Sequence, residues 1–574
     1  MHRLFVALAL AGAVLAGCGG EGDNRDGASR GSPAQGREGG MLTVLWTDDV
    51  DVIDPGQTYY EPGYQVAYAT QRPLYSYRPG DSHTPVPDLA EAAPEVSEDG
   101  RSATVRIRAG VRFSPPVDRE VTSADVKYAI ERGFFGTVAN GYAGTYFGDL
   151  VGAEEGARPG REIAGIETPD PRTVRFRLER GTGGVLAGAL ALPLSAPVPE
   201  EYARRFDART PSAYGQNQVA TGPYMLENDA RGRATGYQAG RRIHLVRNPS
   251  WDRATDYKPA YLDEIEMPQG NDDTAVASRQ VLDGQAMASG DFTPPPEALA
   301  RAPREQLVLV PAGGFRFVSL NTTVPPFDDV DVRRAVVAGF DRRALLLARG
   351  GEAVGEVPTH ILPPAIPGFE EAGGREGPGL DFMAAPSGDL ELAAEYLRRA
   401  GYESGRADGE EVLVVGTSGG VNERIAEIAQ LQLERLGFRV RMRMVTQDAM
   451  LSRFCTVPAA DVAVCPNLGW SKDFADGQTL LDPTFNGENI SPQGNSNASE
   501  LDVPAINAAM EDAALLTDPR ERARAWGRID RLVTEQAPVV AYAWDKTPLL
   551  HSRDVDAVAN EFTSAWDLAW TSLR

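Results

Sequence analysis

The sequence predicts an α/β protein that is divided into two lobes. More than 500 residues follow position 41, which is ample for several hydrophobic cores. Strand-like alternation of apolar and polar residues dominates the first part of the chain. After about residue 310 helical periodicity takes over, and one stretch has the pattern strand, helix, strand. Such a unit predicts a parallel pair of strands in an α/β layer.

The N-terminus has the features of a secretory signal. Arg3 precedes an unbroken apolar run over residues 4–17, and its 14 residues fall short of the roughly 20 that a membrane-spanning helix needs. The run ends in Leu-Ala-Gly directly before Cys18. Residues 1–17 are therefore predicted to be a signal peptide. The Leu-Ala-Gly-Cys segment resembles the lipobox of bacterial lipoproteins, which implies acylation of Cys18; an ordinary cleaved signal beside an incidental cysteine is the alternative.

A polar linker is predicted to follow the signal. Residues 18–40 contain many glycines and charged residues, and after Cys18 their only apolar side chains are two alanines. Such a stretch cannot bury enough apolar surface to offset chain entropy, so we expect it to be disordered. A flexible chain of this length reaches about 25 Å on average, enough to hold a globular body just off a membrane.

Charge and composition exclude several classes of function. The net charge of −24 disfavours nucleic acid as a partner, because an acidic surface repels phosphates. The five histidines are scattered and the chain lacks the common hydrolase and phosphate-loop motifs, so neither a metal site nor a cofactor is predicted. Cys455 and Cys465 are the remaining cysteines after Cys18. In an exported protein such a close pair is expected to form a disulfide, the alternative being two reduced thiols in a core strand.

The first part of the chain contains three clear strands and one helix. Residues 42–46, 103–108 and 173–178 have strand patterns, the last two with alternating apolar and cationic side chains. Residues 122–132 are predicted to be helical, with Thr122 and Asp125 placed as in a capping box.

Later in the chain, helices are predicted over residues 331–340 and 389–401, the first capped by the Asp328-Asp329 pair. The β-α-β unit consists of a buried strand at 412–415, a helix that Asn422 caps and Gly437 ends, and a strand at 438–444. The glycine-rich turn at residues 416–420 could hold an anion, but a tight connection between strand and helix needs the same residues.

A series of short motifs resembles one family along nearly the whole mature chain. They are Ile53-Asp54-Pro55, Pro87-Asp88-Leu89-Ala90, Val111-Arg112-Phe113-Ser114, Val121-Thr122-Ser123-Ala124-Asp125-Val126, Thr221-Gly222-Pro223-Tyr224, Asn321-Thr322, Pro326-Phe327-Asp328-Asp329 and Trp470-Ser471-Lys472-Asp473-Phe474. Their order is that of the peptide/nickel-type extracellular solute-binding proteins of ABC transporters, family 5. One departure is a longer loop at residues 114–120 in place of a short turn.

The resemblance implies a two-lobed, periplasmic-binding-protein-like clamshell of mixed sheets flanked by helices, with two hinge crossings. By the order of the motifs, the crossings are expected near residues 305–318 and 533–545. Lobe I would comprise residues 41–310, with a β-rich subdomain at about 75–200. Lobe II would comprise residues 311–535, and residues 536–574 would return to lobe I. A ligand would be enclosed when the lobes close about the hinge.

The Trp470 segment resembles the ligand-binding segment of the peptide-binding members. The resemblance implies that Asp473 receives the peptide ammonium and that Trp470 and Phe474 form the walls of its pocket, with Ser471 beside them. A surface acid and two core aromatics are the alternatives. The ligand carboxylate needs a cation, for which Arg316 and Lys472 are both candidates.

These observations together predict a substrate-binding lipoprotein and not an enzyme. It would be anchored to the extracytoplasmic face of a bacterial cell membrane, act as a monomer, and deliver di- or oligopeptides to the permease subunits of an ABC importer. The same fold with a non-peptide solute, such as a metal chelate, a sugar or a siderophore-like compound, is the alternative. A secreted enzyme on an unfamiliar scaffold is a further one.

Overall fold

Three sheets organise the protein in the computed structural model, which describes residues 36–574. The predicted signal segment, Cys18 and most of the linker lie outside these residues. The first sheet is mixed, because Met41–Leu45 runs parallel to both of its neighbours and the other pairs are antiparallel. Its strands, in spatial order, are Ala288–Ser289, Met41–Leu45, Glu264–Pro268, Arg242–Arg247 and Tyr224–Leu226, with Tyr237–Gln238 also pairing with Arg242–Arg247.

The second sheet is antiparallel and corresponds to the predicted β-rich region. Its strands, in order, are Glu95–Val96, Ser102–Arg106, Thr173–Arg177 and Ile166–Asp170. The third sheet contains the predicted β-α-β unit. Its strands, in order, are Gly355–Glu356, Val539–Leu550, Leu307–Leu320, Val464–Ser471, Glu411–Thr417 and Arg439–Val445. Three two-stranded ribbons complete the strands: Tyr75–Ser76 with Val86–Pro87, Val555–Asp556 with Ser572–Leu573, and Ala559–Asn560 with Ala565–Trp566.

Helices flank the sheets. They are Glu61–Thr70, Ser123–Gly133, Ala143–Phe147, Gly183–Ala189, Glu200–Asp207, Thr274–Leu282, Pro296–Arg301, Val330–Gly339, Arg342–Arg349, Phe369–Ala372, Asp381–Ala384, Leu390–Arg399, Gly420–Leu436, Gln447–Met450, Gln478–Phe485, Pro504–Ala514 and Pro519–Glu535. Among residues 36–574, none of the helices has both the length and the apolar content needed to cross a bilayer.

Local sequence signals account for several of these elements. Thr122 caps the helix Ser123–Gly133 in a capping box with Asp125, and the Asp329 carboxylate accepts a hydrogen bond from the Asp331 amide at the start of the next predicted helix. Glu411–Thr417 and Arg439–Val445 pair in parallel on either side of the helix Gly420–Leu436, as predicted. That helix ends at Gly437, whose φ of 104° favours glycine.

Two expectations need correction. The helix Gly420–Leu436 begins after Gly419, and Asn422 lies inside it. Gly419 has a φ of 92°, and its amide donates to the Glu423 carboxylate, so the chain enters the helix earlier than an Asn cap would allow. The linker also ends sooner than residue 40. The amides of Gly39 and Gly40 donate to Tyr261 and Asp263, which holds residues 36–40 against the body.

The buried apolar clusters fall into two groups, which we call the first lobe and the second lobe. The first lobe is residues 36–310 and 546–574, and the second lobe is residues 315–545. The strands Leu307–Leu320 and Val539–Leu550 pair antiparallel and run through both groups, forming a ribbon that we call the hinge ribbon. Its register shifts between Pro311 and Phe315, where the chain passes from one group to the other. The return crossing lies opposite, at residues 544–546. Residues 539–544 pack in the second-lobe clusters.

Candidate functional site

The predicted site residues on the hinge ribbon and on the neighbouring strand Val464–Ser471 lie on two opposite faces of the sheet. Phe315 pairs with Trp470, and Arg316 pairs with Gly469. Since successive side chains of a strand point to opposite faces, Arg316 lies on one face and Trp470 on the other. Ser471 pairs with Gly314 and therefore shares the face of Arg316.

Trp470 packs against a core cluster of the second lobe. Its ring is partly buried beside that cluster, and its indole N–H donates to the Thr479 carbonyl oxygen at 2.8 Å. The indole thus fixes the segment that leads to Asp473 by a bond to the following helix. Its role as a wall of a ligand pocket stays a prediction.

Asp473 lies where the two lobes meet. Its side chain is buried, and the hydroxyl groups of Tyr146 and Tyr59, both from the first lobe, donate to its carboxylate. Burial raises the pKa of Asp473 to about 6, although the two hydroxyl groups act in the opposite direction. Among residues 36–574, no Lys or Arg forms an ion pair with this carboxylate. The group is thus a buried acid whose partners are neutral.

Phe474 belongs by sequence to the second lobe but packs in a core cluster of the first. Its side chain is only 1% exposed, and its ring meets the Tyr146 ring edge-on at a centroid distance of 5.0 Å. Gly188 lies directly beneath it, where a Cβ atom would come within 2.5 Å of a ring carbon of Phe474. The missing side chain at Gly188 therefore makes room for the ring, which connects the lobes.

Lys472 is engaged with backbone groups. Its Nζ donates to the carbonyl oxygens of Ala312 at 2.9 Å and Glu561 at 3.2 Å, and it lies 5.7 Å from the centroid of the Phe562 ring. Burial lowers the pKa of Lys472 to about 8, against the opposing effect of the Glu61 and Glu561 carboxylates. This ammonium group helps to hold the crossing segment to the C-terminal return.

Arg316 lies on the face of the sheet opposite to Trp470. Its Nε donates to Asp545 Oδ2 at 2.7 Å, and a third of its side chain (33%) is exposed. The guanidinium lies close to Gly469, where an added Cβ would be 2.6 Å from Nη1. Arg349, at the end of the helix Arg342–Arg349, approaches the other oxygen of Asp545 at 3.7 Å.

Glu61, the first residue of the helix Glu61–Thr70, faces these cations from the first lobe. Its side chain is solvent-accessible, yet surrounding protein raises its pKa, an effect that Lys472 and Arg316 oppose. The carboxyl group of Glu61 therefore lies within electrostatic reach of both cations. Within residues 36–574, no group of three or more His, Cys, Asp or Glu side chains is placed to hold a metal ion.

A disulfide joins Cys455 and Cys465, whose Cα atoms are 6.0 Å apart. Both residues are buried in a second-lobe cluster, and Cys465 lies at the start of the strand Val464–Ser471. The bond therefore fixes the strand that ends two residues before Asp473.

Several residues of the site carry no local signal in the sequence. Tyr59 and Tyr146 lie more than 300 positions from Asp473, and Arg349 occupies the last turn of an ordinary amphipathic helix. Asp545 directly follows the apolar and aromatic run of residues 539–544 in the strand Val539–Leu550, and Lys546 follows it. An acid at the end of such a run is the one signal that could have marked it, because a buried charge needs a partner.

Comparison with known proteins identifies one matching family model and several relatives. The model of the bacterial extracellular solute-binding proteins, family 5, matches residues 84–492. "Di/tripeptide-binding protein 2" of Pseudomonas aeruginosa is 26% identical over 527 residues, covering 88% of each chain. "Heme-binding protein A" of Haemophilus influenzae is 25% identical over 468 residues, covering 80% of this chain and 78% of its own.

Among solved structures, "Clavulanic acid biosynthesis oligopeptide binding protein 2" superposes with a TM-score of 0.81 at 29% identity. The match covers 94% of this chain and 96% of that one. The predicted α/β clamshell is confirmed by this likeness.

Proposed function

The chain belongs to the bacterial extracellular solute-binding proteins of family 5, and we propose that it captures peptides between its two lobes and delivers them to an ABC importer. Relatives named for di- and tripeptides match most of its length. It acts by binding and release, without turnover of the ligand.

The buried carboxylate of Asp473 supports this proposal most directly. A buried ionised group is costly unless a partner of opposite charge accompanies it, and Tyr59 and Tyr146 offer only neutral hydroxyl groups. A peptide N-terminus supplies the missing charge as an ammonium with three donors. We therefore assign Asp473 to the ammonium group, with Ser471, Trp470 and Phe474 shaping the segment around it.

The cleft contains charges of both signs at separate places. Asp473 lies beside Tyr59 and Tyr146, whereas Arg316 and Lys472 lie near Glu61. A zwitterionic ligand fits such a separation better than a neutral sugar does, because both of its ends find counter-charges. A non-peptide solute that carries both charges is the second candidate, and one relative of similar identity is named for heme.

The proposal places the protein outside the cytoplasm. Residues 1–17 would be removed on export, Cys18 would carry the lipid, and the polar residues after it would tether a monomeric body to the extracytoplasmic face of the cell membrane. There it would meet the permease subunits of the importer.

Calorimetry with matched peptides tests the assignment of Asp473. Trialanine is compared with N-acetyl-trialanine on the wild type and on Asp473→Asn. Removing one member of a buried charge pair costs about 2–5 kcal/mol, so acetylation should weaken wild-type binding by about 30-fold or more. Asp473→Asn should bind trialanine weakly and discriminate less between the two peptides.

Asp461→Asn serves as the matched control, because Asp461 is exposed on the same stretch of chain. It should behave as the wild type does. Equal binding of free and acetylated trialanine by the wild type would remove Asp473 from the ligand site and favour a non-peptide ligand.

A further inference from the structure

One short helix of the first lobe receives two contacts from the second lobe. In the helix Gly183–Ala189, Gly184 and Gly188 are four positions apart and therefore share a face. The ring of Phe474 covers Gly188, and the carbonyl oxygen of Leu516 covers Gly184. A Cβ atom at position 184 would come within 2.6 Å of that oxygen. Glycine at both positions therefore lets the second lobe approach the helix closely.

The helix itself does not need glycine at these two positions. Neither Gly184 nor Gly188 has a positive φ, so the backbone there suits any residue. Alanine has a higher helix propensity than glycine and would favour the helix. The other face of the helix is buried in a first-lobe cluster through Val185, Leu186 and Ala189. The missing side chains at 184 and 188 thus serve the contact with the second lobe.

The contact at Gly184 comes from residues 514–516, which we call the closing segment. They lie at the junction of the helices Pro504–Ala514 and Pro519–Glu535. Ala514 is buried in a first-lobe cluster, although its sequence position places it in the second lobe. The Leu515 side chain lies 3.8 Å from where a Cβ atom of Gly181 would be. The closing segment is therefore a second place, besides Phe474, where the second lobe packs on the first.

Arg522 connects the closing segment to the Trp470 segment. Its Nη1 donates to the carbonyl oxygens of Ala513, Ala514 and Leu516, each at 3.1 Å. Its Nε donates to Asp476 Oδ2 at 2.8 Å. The Arg522 side chain is only 4% exposed, so water competes little for these hydrogen bonds. One buried guanidinium thus holds the closing segment and Asp476 in a fixed relation.

Asp476 is joined in turn to the residues that follow Asp473. Its amide donates to the Phe474 carbonyl oxygen at 2.8 Å. The Thr479 hydroxyl donates to the carbonyl oxygens of Phe474 at 3.2 Å and Asp476 at 3.0 Å. The Trp470 segment and the closing segment are therefore parts of one connected unit, which meets the helix Gly183–Ala189 at two points.

We propose that Gly184 and the Arg522–Asp476 pair are positioning residues for ligand binding, an inference that rests on the proposed function. Gly184 lets the closing segment pack on the first lobe, and the ion pair transfers that position to the segment that carries Asp473. They act through closure of the lobes, which brings Asp473 to its first-lobe partners. Ligand affinity then depends on a contact between the lobes that is made by Gly184.

Gly184→Ala tests this inference by small-angle X-ray scattering of the peptide-free protein and by calorimetry with trialanine. The helix accepts the added methyl group, but the closed contact does not, because 2.6 Å is well inside van der Waals contact. The radius of gyration should therefore increase. Trialanine should bind at least about tenfold more weakly, since affinity scales with the closed fraction. The Tm should change little, because alanine favours the helix.

Gly136→Ala is the matched control. Gly136 also belongs to the first lobe and has no positive φ. A Cβ atom there would lie 3.5 Å from its nearest neighbour, the carbonyl oxygen of Gly156, which is an ordinary contact within the same lobe. Gly136→Ala should leave both the radius of gyration and the affinity for trialanine unchanged.

A double-mutant cycle with Asp476→Asn tests the coupling through Arg522. Asp476→Asn removes the charge that Arg522 pairs with and should by itself weaken trialanine binding by about threefold or more. The same change should have a smaller effect in the Gly184→Ala background, because the contact that Arg522 transfers is already lost. If Asp476→Asn does not fold, Arg522→Lys provides the second arm, since it keeps the charge but not the guanidinium.

Several outcomes would overturn the inference, and they are distinguishable from a failure of the proposed function. If Gly184→Ala keeps the wild-type radius of gyration or the wild-type affinity, Gly184 does not position the ligand site, and the proposed function stands. If the effects of Gly184→Ala and Asp476→Asn are fully additive, the ion pair does not transfer the contact. If the wild type itself does not bind alanine peptides of two to five residues, the proposed function fails and the inference fails with it.

Discussion

Replacing Phe474 by alanine should open the protein without unfolding it. The ring is carried by the second lobe but is buried among first-lobe residues, with Tyr146 beside it and Gly188 beneath. Separation of the lobes about the hinge ribbon must withdraw it into water. Its burial therefore stabilises the closed form relative to the open one, whereas either lobe can fold without it.

The size of the effect follows from the burial of the ring. At 1% exposure the side chain is fully buried, and truncation of a buried Phe to Ala costs about 3–5 kcal/mol. Taking about 3 kcal/mol, the equilibrium between closed and open forms shifts by about 150-fold toward the open form. Peptide affinity, which requires closure, should fall by up to the same factor.

Small-angle X-ray scattering measures the opening, calorimetry the affinity, and thermal denaturation the stability. Phe485→Ala is the matched control, because Phe485 is also 1% exposed but packs wholly within a second-lobe cluster. Phe474→Ala should increase the radius of gyration and weaken binding with a small change in Tm. Phe485→Ala should lower Tm without opening the protein.

An unchanged radius of gyration and affinity for Phe474→Ala would refute this reasoning. A fall in Tm as large as that of Phe485→Ala would also contradict it, because the ring would then stabilise the folding of a lobe and not its closure.

Three further predictions concern other parts of the chain. Replacing Cys455 and Cys465 together by alanine should lower the free energy of unfolding by about 2–3 kcal/mol, measured by urea denaturation, because the bond closes a short loop of the unfolded chain. The pKa of Asp473 is raised to about 6, so the peptide-free closed form should lose stability as the pH rises through 6. Peptide binding needs the ionised carboxylate, so affinity measured by calorimetry should fall about tenfold per unit below pH 6, with proton release on binding. Cys18→Ser should release the protein from the membrane fraction or leave it unprocessed, and unchanged fractionation with unchanged mass would contradict the lipid anchor.

The parts of the fold that were predictable from sequence depend on interactions between near neighbours. The capping box of Thr122 with Asp125 is one example, and the Gly437 stop is another, since each is completed within a few residues. The parallel pair Glu411–Thr417 and Arg439–Val445 was predictable because a single helix connects the two strands. The prediction that Asn422 caps the helix Gly420–Leu436 was wrong. Gly419 adopts a backbone conformation that lets the helix begin earlier, and the polar residues nearby do not reveal this.

The site was predictable only in part. The resemblance identified the Trp470 segment, but the partners of Asp473 come from residues 59 and 146, and their approach depends on closure of the lobes. Arg316, Arg349 and Asp545 likewise come together from the strand Leu307–Leu320, the helix Arg342–Arg349 and the strand Val539–Leu550. Residue spacing in the sequence does not predict these side-chain contacts, because each depends on how three separate elements pack.

The return of the chain to the first lobe has a consequence for biogenesis. Trp566 is buried in a first-lobe cluster, where its carbonyl oxygen accepts a hydrogen bond from Gln65, and the Ala260 amide donates to Ala569. The first lobe therefore lacks part of its core until residues 315–545 have been made, which takes about 10 to 50 s at about 5–20 residues per second. During that interval an emerging chain exposes an unfinished lobe to chaperones and proteases. A stop codon near the 3′ end of the coding sequence would make that exposure permanent.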